Sequence, residues 1–228
     1  MRNYGNYRQA ELADRVERGG FGVLDVMVTG VTGAGKSTTL NALFQKEVAR
    51  VGCGVDPMTM ELDSYAFCSA LRLWDTPGLG DGAAADLRHG KKLISLLGKA
   101  YGTRSQYGWI DLVVVIVDGS TRDMGTVYRL INDIILPNIE PCRVLAAINQ
   151  ADMAMSGRHW DSGANRPDAV LEAFLREKAS SVQSRIRQTT GLTIPMPVCY
   201  SAEKDYNIPA LLDMLVDSVP TERRSLCA

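Results

Sequence analysis

The 228-residue sequence predicts one α/β domain, a six-stranded and mostly parallel sheet with one antiparallel strand and helices on both faces. Three observations carry this. Apolar runs of strand length alternate with longer amphipathic stretches, the pattern of a sheet covered on two sides. The chain is 46% hydrophobic and 22% charged, enough for one full-sized core and too short for two ordinary domains. Only one neighbouring pair of strand-like runs is joined by a couple of residues, so one hairpin is expected and the other strands run parallel through helix-length crossovers.

Residues 1–20 place Leu12 and Val16 at helical spacing and form an N-terminal helical extension lying on the domain. The body of the domain spans 21–220 and a tail follows at 221–228. Within the body the first strand is "VLDVMVTG" (23–30), followed by a helix near 36–46. "MELDSYAF" (60–67) and "ALRLWDT" (70–76) form the hairpin. A helix near 83–100 leads to "DLVVVIVD" (111–118), and one near 122–136 leads to "RVLAAINQ" (143–150). The polar stretch "MAMSGRHWDSGANRP" (153–167) reads as a surface loop. Pro167 and Asp168 then give a helix start and Gly191 a stop, bracketing a helix at 168–188. "MPVCYSA" (196–202) and a helix at 208–218 complete the alternation.

Composition narrows the function classes. With 25 basic and 26 acidic side chains the net charge is −1, so no general attraction to nucleic acid or anionic lipid is expected. Cys53, Cys68, Cys142, Cys199 and Cys227 are scattered and odd in number, without a C-x-x-C pair, which argues against a disulfide framework or a zinc site. No apolar stretch approaches the ~20 residues that span a bilayer, and the first 20 residues lack a signal-peptide core. A soluble, cytoplasmic protein without a membrane segment is expected.

The chemistry begins at "GVTGAGKSTT" (30–39), which fits G-x-x-x-x-G-K-[ST] with Gly30, Gly35, Lys36 and Ser37, between a strand and a helix. This is a P-loop: backbone N–H groups over Gly30, Val31, Thr32, Gly33, Ala34, Gly35, Lys36, Ser37 and Thr38 curl around phosphate oxygens at a helix N-terminus. Lys36 reaches the β- and γ-phosphates and Ser37 ligates Mg²⁺. In "LWDTPG" (73–78) a strand ends in Asp75, a carboxylate placed to hold Mg²⁺ through water, and the N–H of Gly78 can meet the γ-phosphate. "AINQAD" (147–152) and "YSAEK" (200–204) name the base. The carboxylate of Asp152 can accept from guanine N1–H and the exocyclic amine, a donor pair that adenine lacks. Asn149 ties this loop to the P-loop, and the N–H of Ala202, beside Ser201, donates to guanine O6.

The ordered set "GVTGAGKS", "VDPMT" with Thr59, "DTPG", "NQAD" and "SA" resembles the five G motifs of translation-factor-class GTPases, especially the Era and septin-like branch. Within it the chain is similar to small YfjP-type predicted GTPases described as 50S ribosome-binding GTPase domains, over roughly residues 22–220. The resemblance implies a Ras-like G domain, GTP and GDP with Mg²⁺ as ligands, and switch loops around Thr59 and Gly78, with Thr59 joining Ser37 and Asp75 at the metal. It implies Lys36, Thr59 and Gly78 as the residues that act on the γ-phosphate. It also implies a homodimer facing across the nucleotide, and a ribosome or other effector by analogy alone.

Two departures from the family pattern matter. Gln150 replaces the lysine of N-K-x-D and covers the base only in part. Leu79 stands where Ras-type enzymes carry a water-orienting glutamine, so another group, in this chain or a partner, must place the water; Arg50 and Asp81 are the nearby charged candidates. The expected function is therefore a Mg²⁺-dependent GTP-binding and GTP-hydrolysing switch, slow without dimerisation or a partner. The competing readings are a GTP-controlled assembly scaffold with little turnover and an ATP-dependent P-loop kinase, the second opposed by "NQAD" and "SA".

Overall fold

In a computed structural model, residues 4–45, 64–101 and 106–226 are described. The elements run α1 (Gln9–Arg18), β1 (Leu24–Gly30), α2 (Lys36–Phe44), β2 (Ser64–Cys68), β3 (Leu71–Asp75), α3 (Ala83–Leu97), β4 (Leu112–Asp118), α4 (Gly125–Arg129), β5 (Val144–Asn149), β6 (Trp160–Asp161), β7 (Arg166–Pro167), α5 (Ala169–Thr190), β8 (Val198–Cys199) and α6 (Ile208–Asp217). Six strands form one sheet in the order β2-β3-β1-β4-β5-β8, with only β2 antiparallel to its neighbour. This is the Ras-like arrangement that the sequence predicts. Because successive side chains of a strand point to opposite faces, the fully buried central strands feed two cores. Leu24, Val26, Val28, Leu112, Val114 and Ile116 pack with α1, α2 and α6. Met27, Val113, Val115, Val117, Ala146 and Ile148 pack with α3, α4 and α5.

The N-terminal helix is part of the first core, as the spacing of Leu12 and Val16 predicts, and both are buried there. Arg8 fixes it to α6 with bonds of 2.9 Å to Asp213 and 2.7 Å to Asp217. The end of the chain is stitched down too. Gly108 N–H donates to Arg224 O at 3.0 Å, Leu226 N–H donates to Gln106 O at 2.7 Å, and the buried guanidinium of Arg224 donates to the carbonyls of Asn138 and Leu97.

Several expectations are corrected by local chemistry. The last strand covers Val198–Cys199 rather than 196–202, because Pro195 and Pro197 carry no N–H for a ladder. The helix expected over 122–136 begins at Gly125 and widens into a π-helical turn over Leu130–Ile135. The stretch 153–167 is more than a loop: it contains the β6–β7 hairpin, whose Trp160 ring stands edge-on to Tyr206 at 5.2 Å. Helix α5 begins where its cap predicts, with Asp168 accepting from Val170 N–H at 2.9 Å and Leu171 N–H at 3.0 Å.

At the edge of the sheet where β1 and β4 begin, Asp25 is fully buried and accepts from Arg72, Trp74 and Tyr101. Its own N–H donates to the Asp111 carboxylate at 3.1 Å. Burial pushes the Asp111 carboxyl up to about 7, the nearby charge of Asp25 adds to the rise, and the Asp25 N–H with Arg223 and Arg143 opposes it. An unfolded Asp titrates near ~3.9. The folded protein thus retains a proton that the unfolded chain releases, so this group's contribution to stability falls as pH rises from about 4 to about 7. Asp111→Asn should flatten that decline: urea midpoints of wild type and variant, measured from pH 5 to pH 8, should diverge with the variant favoured as pH rises. Parallel curves would contradict the assignment.

Candidate functional site

Two loops at the carboxyl ends of β1 and β3 meet at an open cleft of about 390 Å³ lined by Thr32, Lys36, Ser37, Asp75, Gly78 and Asp81, with His89 and Lys92 from α3. This is where open α/β sheets hold ligands. Gly33 and Gly35 adopt φ of +82° and +85°, backbone that favours glycine and turns the P-loop. Gly78 is needed for another reason: a Cβ there would stand 2.6 Å from Thr32 N, so only glycine lets the "DTPG" turn lie against the P-loop. The two segments are also paired, with Thr32 N–H donating to Leu79 O at 2.8 Å and Leu79 N–H to Gly30 O at 3.3 Å.

The buried ammonium of Lys36 donates to Val31 O at 3.0 Å. Burial lowers its pKa, opposed by the charges of Asp75 and Asp81. Ser37 Oγ donates to Asp75 Oδ2 at 2.9 Å, bringing together two hard oxygen donors. Such a pair suits Mg²⁺, which keeps water and phosphate oxygens for its remaining positions. Thr59, expected as a third ligand, and Arg50 lie outside the described residues. Asp81 Oδ2 accepts from the Thr32 hydroxyl at 2.8 Å on the exposed rim.

On the far side of the P-loop, Asn149 Nδ2 donates to Ala34 O at 3.0 Å, and its Oδ1 accepts from Ala202 N–H at 3.0 Å. Ala202 N–H, expected on guanine O6, is thus engaged by Asn149, and a bond to O6 would have to be shared with it. Ser201 closes a small bridge with Tyr206, N–H to carbonyl in both directions at 3.0 and 2.9 Å. Gln150, in a left-handed conformation, donates its amide to Gly33 O at 2.8 Å. It therefore reaches the P-loop as a donor despite its length. Asp152 is buried, and its Oδ1 has no hydrogen-bond partner among the described residues. A buried carboxylate oxygen without a partner is costly, and a carboxylate is the acceptor type that guanine's N1–H and exocyclic amine call for.

Three features of the cleft were hidden in the sequence. Leu79 turns away from the cleft into the core with Met27, Trp74 and Leu93. His89 Nδ1 lies 2.6 Å from Gly78 O. Tyr200, fully buried, shares a 2.8 Å hydrogen bond with Thr39 of α2, clamping the strand before "SA" to the P-loop helix. A tyrosine before "SA" and a histidine on the helix after "DTPG" are the only sequence signals for these.

The model of the family described as "50S ribosome-binding GTPase" matches residues 25–150, more than half of the chain. Translocase of chloroplast 125 of Physcomitrium patens is 29% identical over 173 residues, 73% of this chain but only 14% of that protein's length. Toc33 of Arabidopsis thaliana, solved with GDP and Mg²⁺, superposes with a TM-score of 0.62 at 18% identity, covering 97% of this chain and 94% of that one. A structure of the chloroplast translocon components atToc33 and psToc159, for which dimerization is important for GTPase activity, superposes at 0.55 with 18% identity over 100% and 99% of the two chains.

Because Leu79 is 5% exposed in an apolar cluster, Leu79→Gln should not restore a water-orienting group. It should bury an unpaired amide and cost about 1–3 kcal/mol of stability, read by urea unfolding, without raising GTP hydrolysis. Unchanged stability with faster hydrolysis would show that this side chain reaches the cleft. The P-loop cleft and the family match together establish the conclusion: the chain belongs to the 50S ribosome-binding GTPase family and is a GTP-binding, GTP-hydrolysing domain.

Proposed function

We propose that this GTPase is a cytoplasmic switch of the Era and septin-like branch that reads guanine through Asp152 and hydrolyses GTP slowly until a second copy or another partner completes the site. The observation that carries the base assignment is the buried Asp152 oxygen without a partner. In this reading Asn149 and Gln150 hold the loop against the P-loop, Ala202 N–H shares itself between Asn149 and O6, and Ser201 shapes the turn. Residues 30–38 cradle the phosphates, with Lys36 on the β- and γ-oxygens and Gly78 N–H at the γ-phosphate. Ser37, Asp75 and Thr59 hold Mg²⁺, which when bound neutralises charge on the phosphates. Support for the partner comes from the cleft lining, which among the described residues holds no glutamine, and from the dimer-dependent activity of the related translocon components. A ribosome as effector rests on the family description alone. The cytoplasmic location rests on the free thiols of Cys68, Cys142 and Cys199.

Two experiments test this reading. Asp152→Asn presents a donor where guanine needs an acceptor and matches xanthine, so the variant should exchange a preference for GTP for one for XTP, with each mispaired group worth about 1–3 kcal/mol. Retained preference for GTP would remove Asp152 from the base. Separately, phosphate release per molecule should rise with protein concentration in step with dimer formation followed by light scattering. A fast rate independent of concentration would place every needed group in one chain.

A further inference from the structure

The burial of Leu79 leaves open which side chain meets the attacking water, and the cleft allows an answer by elimination. Lys36 and Lys92, as ammonium groups, can only donate. The hydroxyls of Thr32, Ser37 and Thr76 donate to Asp81, Asp75 and Val28 O, and the lone pairs they keep are far weaker acceptors than an imidazole nitrogen. Asp75 belongs with Ser37 at the metal pair, and Asp81 would bring a negative charge toward the phosphates. His89 remains.

Its geometry suits the task. A carbonyl can only accept, so the 2.6 Å contact with Gly78 O places the proton of the neutral ring on Nδ1. Nε2 is then a bare acceptor, with no hydrogen-bond partner among the described residues, on a half-buried ring that lines the cleft. The anchor is stiff on both sides. The peptide whose carbonyl holds His89 carries the Leu79 N–H, which donates to Gly30 O at 3.3 Å, so the ring is referenced to the P-loop itself. The next residue, Gly90, brings α3 close to the π-helical turn, where an added Cβ would lie 3.1 Å from Ile134 Cδ1.

We propose that His89 is a catalytic residue of GTP hydrolysis, accepting at Nε2 a hydrogen bond from the water that attacks the γ-phosphate. This rests on GTP turnover at the cleft described above. The water oxygen bonds to the γ-phosphorus as the bond to the β–γ bridging oxygen breaks. GDP leaves with that electron pair, and the water proton held toward Nε2 ends on the inorganic phosphate, so the imidazole is regenerated.

The test compares wild type, His89→Ala and His89→Gln at one matched protein concentration. It reads affinity for the non-hydrolysable analogue GMPPNP, single-turnover GTP hydrolysis, and trapping of GDP by aluminium fluoride, which mimics the transition state. His89→Ala should bind GMPPNP like wild type, hydrolyse about 100-fold more slowly, and fail to trap aluminium fluoride. His89→Gln, which offers an acceptor at the same reach, should recover much of the rate. Hydrolysis by His89→Ala within about threefold of wild type would overturn the proposal and leave the GTPase reading intact. Loss of GMPPNP affinity in step with rate would make His89 a strut of the cleft and overturn it too. A wild-type protein that binds GMPPNP but never cleaves GTP would instead overturn the parent reading.

Discussion

One side-chain amide holds the nucleotide site together. Asn149, at the end of β5, is buried and donates to Ala34 O of the P-loop while accepting from Ala202 N–H after β8. Its backbone carbonyl accepts from Gly119 N–H at 2.7 Å, at the end of β4. An amide offers a donor and an acceptor on two separate atoms of one short side chain; an aspartate of the same shape would set a negative charge against the Ala34 carbonyl. Two glycines follow from this packing. A Cβ on Gly35 would overlap the Asn149 amide, and one on Gly119 would come within 2.5 Å of the Asn149 carbonyl. Phosphate loop and base-reading loops are thereby set in register before any ligand arrives, which lowers the ordering cost of binding.

Much of the fold was legible because its signals are redundant. The buried parallel strands read as continuous apolar runs, and "VLDVMV" and "DLVVVIVD" allow little besides a strand covered on both faces. What was not legible depends on partners remote in sequence. The β6–β7 hairpin lies in a polar stretch whose aromatic residue, Trp160, finds Tyr206 across the fold. The π-helical turn after α4 lies where Ile134 approaches Gly90, and nothing in the periodicity of 122–136 announces it. The shortened last strand could have been foreseen from Pro195 and Pro197, whose missing N–H groups outweigh the β-propensity around them.

At the site, the motifs named the ligand classes and the structure supplied the constraints between them. That Leu79 lacks a polar atom was readable; that it is a core residue was not, since its burial depends on Met27, Trp74 and Leu93 from other elements. The reach of Gln150 to Gly33 O depends on its left-handed backbone, which turns a shorter side chain back onto the P-loop. His89 carries no motif at all. Its place in the cleft is set by the helix that follows "DTPG" and by the carbonyl of Gly78.

The central claim is that the loops joined by Asn149 present a guanine-selective site. Calorimetric titration of the nucleotide-free protein with GTP, GDP and ATP in the presence of Mg²⁺ tests it most directly. Saturable one-to-one binding of GTP and GDP is expected, with ATP failing to displace either. Binding of ATP with an affinity comparable to that of GTP would contradict it.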